Sequence, residues 1–538
     1  MRHALLAATA ALAFATLPAT VFAQASAPAD AQPVAMSASA QGSDRTGPNR
    51  LFTGEDLFDL ALASDPQISP DGRTIAYVRR QNDIMTDRAV SSIWLIDVAS
   101  GAETPFAGSD GAAFAPTWSP DGSRLAYVST AGGSAQLWVK WLGSGEAVRL
   151  TGLPSSPSSI AWSPDGRSIA YTMTVDDSAP SLGSQPSNRP EGAEWADPLE
   201  ITDLVNFRAD GAGELTPGFE KVFVIPATGG APRQLTFGRY NDTGPLSWSP
   251  DGSRIYFSAN RQPNWQLDQV EGEVWAVDVA SLALTRLTDR NGPDGGAQVS
   301  PDGRMVAYVG FDDAGRAYEQ AELYVMNADG SNSRLVAPGW DREPADFHWA
   351  ADSRSLYVQY DERGETYVAR VGLDGSVQRV ASGLSGGGLD RPYTGGSFSV
   401  SQDGTVAFTG GTAQRPADVQ VTRRGSTRYL TDLNAGLRAT KTLGEVREIT
   451  VASSYDGQEI QGWLTLPPGY VDGTRVPMIL EIHGGPNTAY GPHFSTDNQL
   501  YAAAGYAVLS ANPRGSTSYG EAFAQEIDKD YPGHDYDD

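Results

Sequence analysis

The chain has 538 residues and a formal net charge of −26, from 39 Lys and Arg residues against 65 Asp and Glu residues. This acidity argues against binding to nucleic acid or to an anionic membrane surface, because both need positive charge on the protein. The sequence contains no cysteine, which excludes disulfides, thiolate catalysis and cysteine-based zinc sites.

The first fifty residues carry a targeting pattern. Residues 1–3 are a short basic start, residues 4–23 are apolar, and small residues near Ala23 offer a cleavage site. We therefore predict a signal peptide over 1–23 and a secreted or periplasmic protein. A membrane anchor is the alternative, but Pro18 and the many alanines make it a poor bilayer span. Residues 24–50 are rich in Ala, Ser, Pro and Gln, which predicts a disordered linker.

A short turn sequence recurs between residues 69 and 404. Its fullest form is Trp-Ser-Pro-Asp-Gly, and an alternating apolar run such as Ile75-Ala76-Tyr77-Val78 follows each copy. Proline presets φ for a type I turn, Asp bonds to nearby backbone, and Gly takes the left-handed position, so each copy predicts a turn between two strands. The turn aspartates are, in chain order, Asp71, Asp121, Asp165, Asp251, Asp302, Asp352 and Asp403.

The spacing of these aspartates predicts the architecture. Successive copies lie 44 to 51 residues apart, except for an interval of 86 residues between Asp165 and Asp251. A strand-rich period of this length is the signature of a propeller blade, and no second turn of this kind lies within the long interval. We predict an all-β seven-bladed propeller over residues 51–440, with an insertion at about 174–218. A propeller alone does not name a function.

Three local patterns refine this prediction. Thr53-Gly54-Glu55-Asp56 resembles a capping box and predicts a short helix before the first blade. The insertion is long enough to be a functional loop, although a surface elaboration of one blade remains the alternative. Gly383-Leu384-Ser385-Gly386-Gly387 matches the Gly-x-Ser-x-Gly pattern of a nucleophile elbow, but a glycine-rich run follows it instead of a helix. We predict a loop between blades there.

After about residue 440 the repeat stops and an α/β pattern begins. The predicted elements are strands at 445–451 and 461–466, an apolar strand at 476–482, a helix at 499–505 and a buried strand at 506–510. The apolar strand suits a parallel sheet that is covered on both faces. Strand, helix and strand, with loops at the carboxyl ends of the strands, open an α/β fold.

The loops of this region resemble a known family, the prolyl oligopeptidase family of serine peptidases, and chiefly its acylaminoacyl-peptidase and dipeptidyl-peptidase branch. The residues that carry the likeness are His483-Gly484-Gly485-Pro486, Tyr490-Gly491, Gly505-Tyr506-Ala507-Val508, and Asn512-Pro513-Arg514-Gly515-Ser516-Thr517 with Tyr519-Gly520. The resemblance covers almost the whole chain after the signal peptide. It implies that residues 445–538 are the N-terminal part of an α/β-hydrolase domain. It also implies a hydrolase that acts on the N-termini of short peptides by Ser-His-Asp acyl transfer, with the propeller gating access.

The resemblance also suggests site residues. The turn from His483 through Gly484 and Gly485 to Pro486 would form the oxyanion and active-site loop, since backbone without side chains can approach a ligand closely. Tyr490 and Arg514 are candidate substrate-binding residues. Arg514 could instead brace its own loop by bidentate hydrogen bonds.

The catalytic triad is assigned to no residue of this chain. The triad of α/β-hydrolases follows in the order Ser, Asp, His, and no Gly-x-Ser-x-Gly occurs after residue 445. We therefore expect the triad to lie beyond Asp538, and this chain to be inactive, with open strand edges and uncovered apolar faces. A fragment of a longer chain and a disrupted reading frame are both open as the origin of this end. His483 is a tempting base, but the triad order favours a role in shaping the turn. His493 and His534 are expected to be surface or packing residues.

No metal or cofactor is expected, and the expected partners are short peptides, with no nucleic acid and no membrane after signal cleavage. Asp535, Asp537 and Asp538 could suggest a metal cluster, but carboxylates also suit the start of a helix. A second interpretation is a non-catalytic periplasmic propeller that binds a peptide or a protein, which the missing triad and the repeat support. Substrate specificity and oligomeric state remain open at this point.

Overall fold

The computed structural model describes residues 50–177, 188–196 and 201–538. The predicted signal peptide, nearly all of the predicted linker and parts of the predicted insertion lie outside the described residues. Within the described ranges, no helix is long and apolar enough to cross a membrane.

The described chain starts with a short strand that is tied to a much later segment. Strand β1 (Arg50–Leu51) pairs in parallel with residues 441–442. A 3₁₀-helix follows at Gly54–Phe58, and the predicted capping box is confirmed: the Thr53 backbone N–H donates to Asp56 Oδ2 at 2.8 Å. Lys441 forms an ion pair with the same carboxylate, and the two side chains are only 4% and 5% exposed.

Five antiparallel sheets of four strands follow among the described residues, each built mainly from strands in chain order. Sheet 1 contains β2 (Ala61–Ile68), β3 (Thr74–Asp83), β4 (Arg88–Asp97) and β5 (Glu103–Ala107). Sheet 2 contains β6 (Ala113–Trp118), β7 (Arg124–Ser129), β8 (Gln136–Trp141) and β9 (Ala147–Arg149). Sheet 3 begins with β10 (Ser158–Trp162) and β11 (Ser168–Asp176), is interrupted by a hairpin of β12 (Arg208–Ala209) and β13 (Gly213–Glu214), and ends with β14 (Gly218–Pro226) and β15 (Arg233–Gln234).

The later sheets repeat this plan. Sheet 4 contains β16 (Asp242–Trp248), β17 (Arg254–Ala259), β18 (Glu273–Asp278) and β19 (Leu284–Arg286). Sheet 5 contains β20 (Asp294–Val299), β21 (Met305–Gly310), β22 (Glu322–Asn327) and β23 (Arg334–Leu335). Sheet 6 has eight strands, namely β24 (Pro344–Trp349), β25 (Ser355–Glu362), β26 (Glu365–Gly372), β27 (Val377–Leu384), β28 (Phe398–Val400), β29 (Val406–Thr412), β30 (Arg415–Arg423) and β31 (Ser426–Tyr429). Its two halves, β24–β27 and β28–β31, meet in a single residue pair, Leu384 with Gly410.

The recurrent turn joins the first and second strands of a sheet, as the sequence predicts. In the first copy, Gly72 has φ of +72° and the Asp71 carboxylate accepts from the Arg73 backbone N–H at 3.1 Å. The serine before the proline adds a bond that the sequence did not reveal, because Ser69 Oγ donates to Asp71 Oδ1 at 2.6 Å. The turn is therefore held by side-chain bonds within five residues, which explains its recurrence as one unit.

The tryptophan that precedes four of the turns links neighbouring sheets. Each indole N–H donates to the penultimate residue of the preceding sheet's first strand, at 2.7 to 3.1 Å, in the pairs Trp118 to Gln67, Trp162 to Thr117, Trp248 to Ala161 and Trp349 to Gln298. The same register recurs at each of these junctions, so these sheets are stacked in the same relative position.

Apolar clusters fill the spaces between neighbouring sheets and between the halves of sheet 6. A further cluster joins sheet 1 to the last strands of sheet 6, through Ile68 and Tyr77 on one side and Val419 and Val421 on the other. The backbone N–H of Ile68 also donates to Ser399 Oγ at 2.8 Å. The first and last strands of this strand-rich region therefore pack directly against each other.

The C-terminal region forms a mixed sheet. Its elements are α1 (Ala435–Thr440), β32 (Lys441–Thr442), β33 (Val446–Ala452), β34 (Glu459–Thr465), β35 (Met478–Ile482), α2 (Thr496–Ala503), β36 (Ala507–Asn512) and α3 (Glu521–Ala524), with 3₁₀-helices at Gln525–Ile527 and His534–Tyr536. The strand order is β33-β34-β36-β35, and only β35 and β36 run parallel. The predicted strand, helix and strand are thus β35, α2 and β36.

The expectation that the apolar strand is covered on both faces was wrong. Met478, Leu480 and Ile482 are 58%, 54% and 65% exposed, whereas Glu481 between them is buried. Side chains alternate across a strand, and β35 is the edge strand of its sheet. One face therefore packs against the protein and the other stays open, which agrees with the expected uncovered apolar face.

Candidate functional site

The site is built from two loops that leave the same edge of the mixed sheet. Residues 483–488 follow β35, and residues 513–518 follow β36. Because these two strands are parallel and adjacent, their carboxyl ends lie side by side. The Asn487 side chain joins the loops by donating to the Gly515 carbonyl at 2.9 Å.

His483 and Ser516 meet at the base of this site. Nε2 of His483 lies 2.9 Å from Ser516 Oγ, and Ser516 is fully buried. Burial lowers the pKa of His483, so its ring is neutral at physiological pH. The Ser516 hydroxyl donates to the Pro513 carbonyl at 2.6 Å, so its proton has a partner other than the imidazole. A nucleophilic serine would instead pass this proton to the histidine.

The other side of the His483 ring also lacks a carboxylate. Nδ1 lies 3.0 Å from Thr488 Oγ1 and 3.1 Å from the Gly484 carbonyl. A catalytic histidine is usually oriented by an acid at this position. The structure therefore brings His483 together with groups that shape the turn, which agrees with the role that the triad order favoured.

Gly484 and Gly485 are the exposed part of the loop. A Cβ added at Gly484 would meet no atom within 4 Å, so the space beside this residue is open. Gly485 has φ of +132° and its added Cβ would lie 2.9 Å from the Asn487 nitrogen, so only glycine fits there. The Gly484 backbone N–H points to the Tyr393 hydroxyl at 3.4 Å, from the connection between the two halves of sheet 6.

Tyr490 supports the loops from inside. Its backbone N–H donates to Asn512 Oδ1 at 2.8 Å, and its carbonyl accepts from Asn512 Nδ2 at 2.9 Å. Its ring is fully buried, with ring centroids 5.2 Å from His483 and 4.9 Å from Tyr393. This candidate substrate-binding residue therefore lies beneath the open surface of the site.

Arg514 braces its own loop, which was one of the two roles left open by the sequence. Its guanidinium group donates to Asp538 at 2.7 and 2.9 Å and to Asp456 at 3.1 Å. The hydrogen bonds that Arg514 donates to Asp538 and Asp456 raise its pKa further. The side chain is only 6% exposed, so its charge is used within the protein.

A segment of sheet 6 runs along the site. The connection at 389–394 pairs with the chain that follows the His483 turn: the Gly491 N–H donates to the Pro392 carbonyl at 2.8 Å, and the Thr394 N–H donates to the Ala489 carbonyl at 3.0 Å. Arg391 adds an ion pair with Glu481 at 3.1 Å. We call this contact between residues 389–394 and residues 489–496 the seam. The sequence did not predict it, because about 100 residues separate its two sides and neither side carries a motif for the pairing.

The other serines considered as nucleophiles have structural roles. Ser510 is fully buried, Ser495 caps α2 by accepting from the Asn498 N–H, and Ser518 Oγ accepts from the Gly364 N–H at 2.8 Å. Ser385 is buried and comes directly after β27, with no helix behind it. The Gly-x-Ser-x-Gly match thus begins at the end of β27 and continues into the loop before β28, and that this loop joins two blades stays a prediction.

The remaining histidines and aspartates are used in packing and turns. His493 is buried, and burial lowers its pKa to about 4, whereas the His534 ring stacks on Tyr455. Asp535 accepts from the Gly533 N–H at the start of a 3₁₀-helix, as a helix-start carboxylate does. Within residues 50–177, 188–196 and 201–538, no group of three potential ligands could hold a metal ion.

Family models match parts of the strand-rich region and the end of the C-terminal region. A model described as TolB beta propeller domain matches residues 43–179. One described as dipeptidyl peptidase IV N-terminal region matches residues 191–310. One described as prolyl oligopeptidase family matches residues 492–538.

Relatives align with both parts of the chain. An uncharacterized peptidase, YuxL of Bacillus subtilis, is 30% identical over 91% of this chain and 75% of its own length. Dipeptidyl-peptidase 5 of Porphyromonas gingivalis is 25% identical over 92% of this chain and 72% of its own. The solved acylaminoacyl peptidase of Pyrococcus horikoshii is 21% identical and superimposes with a TM-score of 0.71 over 89% of this chain and 69% of its own, which shows a common fold.

Proposed function

The chain belongs to the prolyl oligopeptidase family, and on this basis we propose that it is the propeller and opening hydrolase segment of a serine peptidase. Its substrates are short peptides, from whose N-termini it releases dipeptides or acylated residues. Relatives named dipeptidyl-peptidase and acylaminoacyl peptidase support this substrate class.

The observation that carries this proposal is the exposed backbone of Gly484 at the carboxyl end of β35. Its N–H group makes only a long contact, 3.4 Å, with the Tyr393 hydroxyl, and the oxyanion that forms when a peptide carbonyl is attacked would take the place of this hydroxyl. Pro486 and the buried His483 would hold this turn in place, and Tyr490 and Arg514 would act through the two loops that they stabilise.

We assign the attacking serine to none of the serines near this loop. Ser516 is buried and donates to a carbonyl, and Ser510 has no exposed surface. A nucleophile must be reachable by the substrate and must be able to pass its proton to a base. Residues 1–538 are accordingly expected to bind peptides without hydrolysing them.

We also propose that the strand-rich region is a closed seven-bladed propeller that limits access to the site. Sheets 1 to 5 would each be one blade, and the two halves of sheet 6 would be two more. The contact of Ile68 with Ser399 and the cluster that joins sheet 1 to sheet 6 support closure. The Tyr393 hydroxyl beside Gly484 supports a propeller that borders the site directly.

A non-catalytic binding propeller is the less favoured function. It would account for the strand repeat, but not for relatives that align with both the propeller and the hydrolase part.

For localisation we propose export, supported by the basic and apolar pattern of residues 1–23. N-terminal sequencing of the mature protein tests it, since export predicts a start shortly after Ala23.

Peptide binding can be tested with protein labelled with ¹⁵N only in glycine. Unblocked peptides of three to five residues should shift the amide resonances of Gly484 and Gly485. Gly425, which lies in an exposed hairpin of sheet 6, should not respond. An unchanged Gly484 resonance at saturating peptide would contradict the proposed site.

The assignment of the nucleophile needs a separate test. A fluorophosphonate probe labels only an activated serine, so we expect no labelling of residues 1–538. Labelling that is abolished by changing Ser385, Ser495, Ser510, Ser516 or Ser518 would overturn this assignment and leave the family membership intact.

A further inference from the structure

A cleft of about 460 Å³ lies between sheets 3 and 4, away from the site described above. Its walls come from the recurrent turns and the later hairpins of the two sheets, chiefly Ser163, Pro164, Asp165, Ser168, Trp248 and Asp251. These turns join first to second strands. The hairpin at Arg363–Gly364, which contacts the C-terminal region, joins a second strand to a third strand and therefore lies at the opposite strand ends. The cleft is thus separate from the proposed peptidase site.

The neighbouring junction, between sheets 2 and 3, shows what normally fills this space. Arg124, three residues after its turn aspartate, lies over the ring of Trp162 with its guanidinium carbon 4.7 Å from the ring centroid. Its Nη2 donates to the Gly166 carbonyl at 2.9 Å. A Cβ added at Gly166 would lie 2.7 Å from this Nη2, so the guanidinium group fills the junction.

At the junction between sheets 3 and 4 the corresponding position holds Ser168. Its short side chain cannot reach Trp248, whose indole is half-buried and lines the cleft. A Cβ added at Gly252, the counterpart of Gly166, would meet no atom within 4 Å. The indole N–H of Trp248 is already bonded to the Ala161 carbonyl, as at the other junctions. The face of the Trp248 ring and the turn at Gly252 are therefore uncovered. At the junction between sheets 2 and 3, Arg124 covers the equivalent ring and turn.

The junction between sheets 5 and 6 supports this comparison. Met305 occupies the same position after its turn aspartate and packs in the cluster that contains Trp349. A long side chain stands at this position in both cases, whether it is charged or apolar. Ser168 is short, and the cleft lies beside it and Trp248.

The cleft is lined by two carboxylates that can face a cation and by one guanidinium group of the chain itself. Asp165 and Asp251 both line it, and hydrogen bonds from Ser249 and Ser253 lower the pKa of Asp251 to about 2, so its carboxylate is ionised. Arg233 also lines the cleft, but its guanidinium group donates to the Val279 carbonyl. Prolines 164, 226 and 250 add apolar walls that suit the methylene groups of a long side chain.

We propose that this cleft binds the arginine side chain of a peptide or protein, in the position that Arg124 takes at the preceding junction. The guanidinium group stacks on the Trp248 ring, donates to the turn at Gly252 and faces the Asp251 carboxylate. An arginine residue within a polypeptide fits this cleft better than a free guanidinium ion, because its methylene groups also contact the proline walls.

The test uses the full chain and the blocked peptide acetyl-Ala-Arg-Ala-amide, with binding measured by calorimetry. The matched control peptide has citrulline in place of arginine, which keeps the shape and removes the charge. We expect one arginine site and about tenfold weaker binding of citrulline, which corresponds to the loss of a cation–π contact. Guanidinium chloride should bind more weakly than the arginine peptide, and equal affinity would overturn the assignment to a polypeptide.

Substitutions that copy the residues found at the other junctions complete the test. Ser168→Met should close the cleft as Met305 does and abolish binding, and Ser168→Arg should act in the same way. Arg124→Ser should open a second site at Trp162 and raise the stoichiometry from one to two. Equal binding of the citrulline peptide, or full binding by both Ser168 variants, would overturn the proposal. Since Arg124→Ser predicts a gain, the proposal can still be tested if a filled variant fails to fold.

Discussion

Nε2 of His483 lies 2.9 Å from Ser516 Oγ, a distance that suits a catalytic pair, yet the hydroxyl hydrogen of Ser516 is committed to the Pro513 carbonyl. The contact joins the loop after β35 to the loop after β36. The contact therefore holds the two loops together. Its distance alone would wrongly suggest a catalytic pair. The second partner of the Ser516 hydroxyl and the complete burial of the serine decide between the two roles.

Ser516→Ala tests this structural role. Removing the hydroxyl leaves His483 Nε2 buried without a hydrogen-bond partner, and we expect a loss of about 1–3 kcal/mol in the free energy of unfolding. Urea denaturation followed by fluorescence measures it. Ser426→Ala, at an exposed position of β31, should change stability by less than about 0.5 kcal/mol. A stable Ser516→Ala variant would show that the contact does not support the loops.

Gly491→Ala should separate the C-terminal region from sheet 6. A Cβ at this position would lie 1.8 Å from the Gly364 carbonyl oxygen, so the two backbones could not stay in contact. We expect a loss of about 3 kcal/mol and faster proteolysis in the seam at 389–394. Gly484→Ala is the matched control, since its added Cβ meets no atom within 4 Å. Equal melting temperatures of the two variants would contradict the close approach.

His493 should make the stability of this seam depend on pH. Burial lowers its pKa from 6.5 to about 4, so the unfolded chain binds a proton at a pH where the folded chain does not. Stability therefore falls as the pH drops from 6.5 to 4, by roughly 3 kcal/mol from this one group. The stability of the native chain should fall more steeply from pH 6.5 to pH 4 than that of His493→Gln, which melting curves across this range measure. Parallel curves would rule out His493 as the source.

Lys441→Met tests the link between the first described residues and the start of the C-terminal region. Burial alone would raise the pKa of Asp56, but its hydrogen bonds with Lys441 and Thr53 hold it below its usual value. Without the lysine, a carboxylate is left buried and unpaired, at a cost of about 3–5 kcal/mol at neutral pH.

The cost of Lys441→Met should shrink at acidic pH, where Asp56 becomes protonated and neutral. The double variant Asp56→Asn with Lys441→Met should recover much of the loss, because no charge remains buried. Chemical denaturation at pH 7 and pH 4 measures both effects. A deficit that is the same at both pH values would mean that lost packing, and not the unpaired charge, explains it.

Much of the fold could be predicted because its repeated unit is local. The turn around Asp71 is held by bonds to Ser69 and Arg73, within five residues, so the same short sequence produces the same turn in each copy. The strand, helix and strand after residue 476 were likewise visible from runs of apolar residues. The likeness of residues 483–520 to known peptidases gave the family, which the relatives confirm.

The tertiary structure decided the features that depend on residues far apart in the chain. The pairing of 389–394 with 489–496 and the burial of Tyr490 arise when the C-terminal region docks on sheet 6. The cleft beside Trp248 depends in the same way on the residue that the preceding sheet places against it. Turns form from bonds between near neighbours, so their sequence specifies them. A site or a cleft forms where separate elements meet, and only the packing of those elements determines which side chains face each other.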